Sequence, residues 1–389
     1  MTTVNVSFVL LSRLKDWCFN PHRPDGLRMN FGSPETTVSL RSVNRPVSGQ
    51  EGFDNLECKA SLVLPASKHQ ADFIAGLAEG RYVVLPGAPV KLPVRVRGEE
   101  RIDATGRIVV NMSIPFELYP PDVQLLWRSA YQQLKAAQGR FLRLLRWMQD
   151  VDSPHDYYSS PPLLYWRCAG DTASGDHKLA VGPEVERNPG GVDIRGVRGI
   201  VWNDTQAAAL QSLLDAGATE PLAHELLREA RLLADTGSLR SALLMAATAV
   251  ETGVKEHIGR LRPHTSWLLQ NIPSPPVHKI LRDYVREMHV SSSLIRDWNV
   301  LKPLWNGCDK LAQARNATTH TGAGIPDAAV DQYLELASDV LYVLDALAGQ
   351  EWAQRRVSSK VRTALGWPGP TEGRVYGVWG STRWEIDRH

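Results

Sequence analysis

The chain has 389 residues, of which 43% are hydrophobic and 22% are charged, and its formal net charge is +2. This length exceeds the usual size of one domain, so the sequence predicts two or more domains. The composition is that of a folded globular protein, and the small net charge excludes a uniformly basic nucleic-acid binder.

Charge is distributed unevenly along the chain. Residues 203–349 carry 13 Lys and Arg against 17 Asp and Glu, whereas residues 1–202 and 350–389 are each net +3. The four cysteines are far apart and include no Cys-x-x-Cys pair, so we expect neither a disulfide scaffold nor a zinc ribbon. This cysteine usage fits a reducing cytoplasm. The sequence has neither a secretory signal nor an apolar run of about 18 residues, so we expect no membrane span.

The first 120 residues have the alternating apolar and polar pattern of strands joined by loops. The strand candidates are Val4–Leu11, Thr37–Val43, Leu56–Leu64 and Arg107–Leu118, with Ser67–Glu79 as a helix candidate. Further short strands are predicted at Leu163–Cys168 and Val192–Val201. These elements predict a strand-rich mixed α/β region over residues 1–202, which would act as a sensor, substrate platform or partner module.

A long helix is predicted from Pro121 to about Asp150, because apolar residues recur there at helical spacing. Basic residues line much of its remaining surface, namely Lys135, Arg140, Arg143 and Arg146. This row is either an RNA-facing surface or an ordinary solvated helix face, and the solvated face is the more common case.

From Asp204 onward the pattern is helical. The predicted helices are Thr205–Ala216, Glu220–Asp235, Ser238–Arg260, Val277–Val290, Leu301–His320 and Pro326–Leu347. The sequence therefore predicts an α+β protein in which an all-helical bundle over residues 203–349 follows the strand-rich region. Residues 350–389 form a basic tail with four tryptophans. This tail either stacks nucleic-acid bases or packs on the body, and Gly380-Ser381 predicts a hairpin within it.

Arg315, Asn316 and His320 place a permanent cation, an amide and a titratable imidazole within about one and a half helical turns. Arg binds phosphate oxygens through a planar fork of donors. His exchanges protons near neutrality. Together the three residues predict a phosphodiester or nucleotide site, at a helix end marked by Gly322.

Other histidines give weaker signals. Arg282 and His289 have a similar spacing, but they lack an adjoining Asn and a Gly-ended helix, so we interpret them as a chance match. His257, His264 and His278 belong to no constellation and are expected on the surface.

Residues 220–347, about a third of the chain, resemble the HEPN family, the higher eukaryote and prokaryote nucleotide-binding domain. One shared feature is the helix pair across Leu226–Glu251, with a tight Gly turn and an Ala-rich second helix. Another is Arg315-Asn316-x-x-x-His320, which matches the family's Arg-x4–6-His pattern. The last is Thr321-Gly322 before a long final helix.

The resemblance implies a four- or five-helix bundle that forms a homodimer in which two motifs meet. It also implies a metal-independent endoribonuclease, commonly in toxin–antitoxin or antiviral defence systems. Arg315, Asn316 and His320 would be catalytic, and Glu251 would support them. The partners would be RNA, a second copy and, for a toxin, an antitoxin or sensor protein, whereas no cofactor and no metal are implied.

A second copy would also solve a geometric problem. Arg315 and His320 are five residues apart, which separates them by about 140° on an ideal helix. A single helix would not aim both side chains squarely at one phosphate unless it loosens near His320, whereas two copies could share each phosphate.

Three other interpretations remain open at this stage. The motif could belong to a non-catalytic HEPN module that binds nucleotide or RNA or only dimerises. Arg315 could be purely structural, paired with Glu251. The N-terminal region could instead be the active part, although it contains no P-loop or other nucleotide fingerprint.

Overall fold

The structure of the chain is a computed structural model. The described residues are 3–14, 18–19, 26–43, 55–78, 101–102, 108–109, 119–150, 158–168, 199–200, 204–265, 267, 271, 276–290, 292–322, 324–369, 375–379 and 382–386. Much of the strand predicted at Arg107–Leu118 and of that at Val192–Val201 lies outside these residues. The described architecture is α+β.

The chain divides into two compact units. The first comprises Met1–Leu142, Asp156–Ala218 and Val375–Ile386, and the second comprises Arg143–His155, Thr219–Arg374 and Asp387–His389. These units differ from the predicted regions because residues 204–218 belong with the strands and residues 143–155 belong with the helices.

A five-stranded antiparallel sheet forms the centre of the first unit. Its strands are β1 (Thr3–Leu14), β3 (Leu27–Phe31), β4 (Thr36–Val43), β5 (Asn55–Ser67) and β8 (Tyr158–Cys168), in the order β3-β4-β5-β1-β8. Short two-residue strands lie at β2 (Cys18–Phe19), β6 (Arg101–Ile102), β7 (Ile108–Val109) and β9 (Gly199–Ile200). Strand β3 is only five residues long and was not among the predicted strands.

One face of this sheet is apolar. Val6, Phe8 and Leu10 alternate along β1 and are buried, as the two-residue period of a strand requires. Helix α1 (Lys68–Ala78) follows β5 directly, and the long α2 spans Pro121–Gln149. In α2, the buried Gln138 accepts a hydrogen bond from Ser12 Oγ at 2.8 Å and donates one to the Cys58 carbonyl at 3.0 Å.

The basic row on α2 is not a continuous surface. Arg140 donates to the carbonyls of Leu213, Leu214 and Ala218, at the C-terminal end of helix α3 (Asp204–Asp215). A cation there is stabilised by the negative end of the helix dipole. Arg146 is buried, whereas Lys135 and Arg143 are exposed. Arg140 and Arg146 therefore belong neither to a row of RNA-facing side chains nor to an ordinary solvated helix face.

The second unit contains the remaining helices. They are α4 (Leu222–Asp235), α5 (Leu239–Leu261), α6, α7 (Lys302–Thr321), α8 (Asp327–Leu347) and α9 (Ser359–Leu365). Helix α6 begins at Val277–Lys279, widens to a π-helix over Ile280–Val285 and ends with Arg286–Met288. Short 3₁₀ turns lie at Pro263–Thr265, Trp298–Leu301 and Glu351–Arg355.

Helices α4, α5 and α8 pack tightly together. Gly237 turns the chain between α4 and α5 with a φ of 80°, which favours glycine. Gly253 of α5 lies so close to α8 that a Cβ atom would stand 2.2 Å from Leu341 Cδ2. The Ala-rich inner face of α5 allows the same approach along its length, because Ala242, Ala246 and Ala249 are fully buried.

A buried polar network ties α8 to the end of α2. Asp345 Oδ2 accepts from Trp147 Nε1 at 2.8 Å and lies 2.8 Å from His224 Nε2 of α4. The Tyr342 hydroxyl contacts the Trp147 carbonyl at 3.1 Å and Asp150 Oδ1 at 3.0 Å. Since buried polar groups are costly unless paired, this network fixes the register of the three helices.

In the tail beyond α8, two tryptophans are buried and a hairpin follows them. Trp352 is buried and packs edge-on against Trp147, with ring centroids 5.0 Å apart, and the Trp367 indole donates to the Leu294 carbonyl. The predicted hairpin is confirmed, because β10 (Val375–Trp379) pairs antiparallel with β11 (Thr382–Ile386). In the described part of the chain, no helix combines the length and apolarity needed to cross a bilayer.

Candidate functional site

Helix α7 positions the motif near its C-terminal end. Its inner face packs through Leu304, Trp305, Cys308 and Leu311, which are all buried. The helix ends at Gly322, whose φ of 64° lies in the left-handed region and whose N–H bonds the Thr318 carbonyl at 3.2 Å. The predicted Gly-ended helix is therefore present.

The three motif residues face solvent to different degrees. Arg315 is half-buried, whereas Asn316 and His320 are exposed. His320 lies in the last turn of α7, at the negative end of the helix dipole. Thr318, between Arg315 and His320 in sequence, is buried and anchors this turn in the bundle. The motif therefore sits on a fixed helical turn whose reactive side chains are open to a ligand.

The Arg315 guanidinium has donors to spare. Its Nη1 donates to Asn316 Oδ1 at 3.1 Å, and no second side-chain acceptor for it occurs among the residues that the structure describes. A guanidinium has five N–H donors in a planar fork. Asn316 therefore steadies the fork while most of its donors remain open to a ligand such as a phosphate.

Glu251 of α5 is the carboxylate that was predicted to support Arg315. It is half-buried, and burial raises its pKa, while the charges of Arg315 and Lys255 act in the opposite direction. Arg315 and Glu251 thus interact electrostatically across the packed helices α5 and α7. Lys255 lies one helical turn beyond Glu251, on the same side of α5.

The structure thus brings Arg315, Asn316 and Glu251 into one group. His320 makes no side-chain hydrogen bond to these three within the described part of the chain. Its distance along α7 from Arg315 is the five-residue step noted above, and α7 remains helical through Thr321. One copy therefore presents a guanidinium with open donors and a separate, exposed imidazole.

The second Arg/His pair does not form a comparable group. Arg282 is exposed and makes two 2.7 Å hydrogen bonds to its neighbour Asp283. His289 is buried and contacts His257 instead. This agrees with the interpretation of the pair as a chance match.

The expectation that His257 lies on the surface is wrong. His257 is only 3% exposed, and its Nε2 lies 2.9 Å from His289 Nε2. His278 is half-buried and lies 3.3 Å from Asp309 of α7, whereas His264 is exposed as expected. The sequence indicated the burial of His257 only in part. His257 follows Gly253 and Val254 on the buried face of α5, but the charged Lys255 and Glu256 directly precede it.

A small polar cavity adjoins this histidine. It is about 10 Å³ in volume and is lined by residues of α4, α5 and α8, among them His224, Glu256, His257, Arg260 and Asp345. A space of this size holds no more than a water molecule. The cavity is therefore not a substrate pocket, and the open surface around Arg315 and His320 remains the candidate site.

Comparisons with protein-family models, with curated proteins and with solved structures found no match to this chain.

Proposed function

We propose that the chain is a metal-independent endoribonuclease of the HEPN type, whose catalytic residues are Arg315, Asn316 and His320. The observation that carries this proposal is the state of Arg315. It is half-buried on a fixed helix, is steadied by Asn316 through one hydrogen bond, and keeps most of its donors open. A structural arginine would instead have its donors occupied by carboxylates or carbonyls, as Arg140 has.

Glu251 has a supporting role in this proposal. Its electrostatic attraction for Arg315 holds the guanidinium near α5, and burial disfavours its charged form. It therefore competes weakly with a phosphate for the arginine. A fully exposed carboxylate in direct contact would bind the fork itself and close the site.

The reaction begins when an imidazole base takes the proton of a ribose 2′-OH. The freed oxygen attacks the adjacent phosphorus, and the bond from phosphorus to the 5′-oxygen breaks. An imidazolium gives its proton to that leaving oxygen. Arg315 stabilises the negative charge that develops on the phosphoryl oxygens. The products are a 2′,3′-cyclic phosphate and a 5′-OH end.

The separation of Arg315 and His320 around α7 favours a composite site formed by a second copy. In a homodimer that brings two α7 ends together, Arg315 of one copy and His320 of the other would meet the same phosphate. DNA would resist cleavage because it lacks the attacking 2′-OH.

The test compares cleavage of labelled RNA and matched DNA, in EDTA, by the wild type and by His320→Ala. The matched control is His264→Ala, since His264 is also an exposed histidine of the same unit. We expect cleavage of RNA alone, lost with His320→Ala and retained with His264→Ala. Equal cleavage by all three proteins would exclude the role of His320, and RNA binding without cleavage would favour a binding module.

Mixing inactive variants tests the composite site. If His320 and Arg315 act across two copies, Arg315→Ala and His320→Ala proteins mixed after partial unfolding should regain activity. An equal mixture places one intact site in half of the dimers, so recovery should reach about a quarter of the wild-type rate. No recovery, with mixed dimers shown to form, would mean that each copy uses its own pair.

A further inference from the structure

Two buried histidines outside the candidate site face one another. His257 lies on α5, and His289 directly follows the last turn of α6. Their Nε2 atoms are 2.9 Å apart, their ring centroids are 5.1 Å apart, and the two residues are only 3% and 9% exposed. This contact connects α6 to the central helix of the bundle.

The contact between the two rings depends on their protonation. Two ring nitrogens at 2.9 Å need one proton between them, so one is a donor and the other an acceptor. Either ring can supply that proton. When both rings are protonated, both Nε2 atoms carry hydrogen and the two cationic rings repel each other.

The charged groups around the pair mostly oppose an added proton. Arg260 of α5 acts on His257, and Arg262, just after α5, acts on His289. The favourable charge is Asp345 of α8, which already interacts with Trp147 and His224. Glu256 and His224 line the adjoining cavity. The two arginines equally oppose a metal ion at this position.

Helix α6 is held by apolar packing and by a few polar contacts. Its buried apolar side chains are Val277, Leu281 and Val285. Six of its residues, Ile280–Val285, are π-helical, a geometry found mostly as short irregularities. It packs on α5 and α7, with the His278–Asp309 contact toward α7. Beside its C-terminal end, Val290 is 77% exposed. The histidine contact is therefore its buried polar attachment to α5.

We propose that the His257–His289 pair is an acid-released latch, which holds α6 on α5 while one Nε2 atom can accept a hydrogen bond from the other and frees α6 when both rings are protonated. Because α6 packs along α7, release would loosen the helix that carries Arg315 and His320. The latch itself does not depend on the proposed ribonuclease activity.

The direction of the pH effect follows from burial. Burial, then the neighbouring His289 and Arg260, lowers the pKa of His257 from 6.5 to about 4, and burial also lowers the pKa of His289. A folded pKa below the unfolded value means that the latch is at full strength above about pH 6.5. Below that value the opening equilibrium should rise up to about ten-fold per pH unit for each histidine, until pH falls to the folded pKa.

Two measurements on the full chain test the latch. In wild-type protein with labelled histidine, NMR titration of the eleven imidazoles should show His257 resisting protonation until well below pH 6 and His289 titrating below the ordinary histidine pKa. Amide exchange, corrected for its intrinsic pH dependence, should show α6 opening more often as pH falls from 7 to 5, before α4 and α8 open.

The variants separate the latch from general acid sensitivity. The double variant His257→Gln/His289→Gln should lose the pH dependence of α6 opening, whereas His264→Gln should keep it. Ordinary titration of every histidine near pH 6.5 in the wild type would overturn the proposal, even if the double variant failed to fold. The same pH dependence in the wild type and a folded double variant would also overturn it.

Discussion

Replacing Asp345 by alanine tests the buried polar network most severely. Oδ2 of Asp345 accepts from Trp147 Nε1 and contacts His224 Nε2, both at 2.8 Å, in a site where Asp345 is 5% exposed. Alanine would leave two buried donors without their acceptor, at about 1–3 kcal/mol each. The free energy of unfolding of the helical unit should therefore fall by about 2–6 kcal/mol. Asp345→Asn retains an oxygen and most of the volume, so its loss should be smaller, about 1–2 kcal/mol.

Urea unfolding followed by circular dichroism gives the free energies, and amide exchange assigns the loss to α4 and α8. The control is Asp331→Ala, which removes an exposed carboxylate from the same helix. A free energy of unfolding for Asp345→Ala within about 0.5 kcal/mol of this control would contradict the expected loss, since surface substitutions have effects of about that size.

Three further predictions concern the helical unit. Gly253→Val should destabilise it by about 1–3 kcal/mol in urea, because the new side chain meets Leu341 and Ala223, whereas Gly324→Val, with open space around it, should not. Burial raises the pKa of Asp339 to about 6, so the wild type loses stability as this carboxyl ionises between pH 4 and pH 8. Asparagine does not ionise. The free energy of unfolding of Asp339→Asn, relative to the wild type in the same assay, should therefore rise by about 2–3 kcal/mol over that range. Burial also raises the pKa of Cys308 to about 12, so iodoacetamide at pH 8 should leave it unmodified by mass spectrometry until urea unfolds the protein; rapid labelling of the folded chain would contradict this.

The regular elements could largely be predicted from sequence, because they depend on local periodicity. The strand predicted at Leu56–Leu64 spans Asn55–Ser67 in the structure, and the helix predicted at Pro326–Leu347 spans Asp327–Leu347. The turn at Gly237 and the end at Gly322 were likewise local signals. Element ends shifted by only a few residues, as local rules would allow.

Burial of polar residues could not be predicted in the same way. Asp345 looks like the solvent-facing side of an amphipathic helix, but Trp147, 198 positions away, makes it a buried acceptor. His257 is buried against a histidine 32 positions away. Arg140 lies where the sequence pattern predicts a solvated helix face, yet it donates a hydrogen bond to the Leu214 carbonyl at the end of α3. Each case depends on a partner that only tertiary packing supplies.

The candidate site could be predicted only in part, because some of its features are local and others depend on tertiary packing. The order Arg315, Asn316 and His320 on a Gly-ended helix is a local pattern, and α7 has that form. The electrostatic interaction of Arg315 with Glu251 depends on how α5 packs on α7, and the sequence offered Glu251 only as one possible partner. The openness of the Arg315 fork appears only in the structure.

The most direct test of the proposed function is chemical, on the substrate and not on the protein. One oligonucleotide would be prepared as RNA and again with a single 2′-deoxynucleotide on the 5′ side of a mapped cleavage position, and both would be incubated with wild type in EDTA. The account predicts cyclic-phosphate and 5′-OH ends from RNA and loss of cleavage at that position alone in the substituted strand. Undiminished cleavage at the deoxy position, or ends bearing a 5′-phosphate, would contradict it.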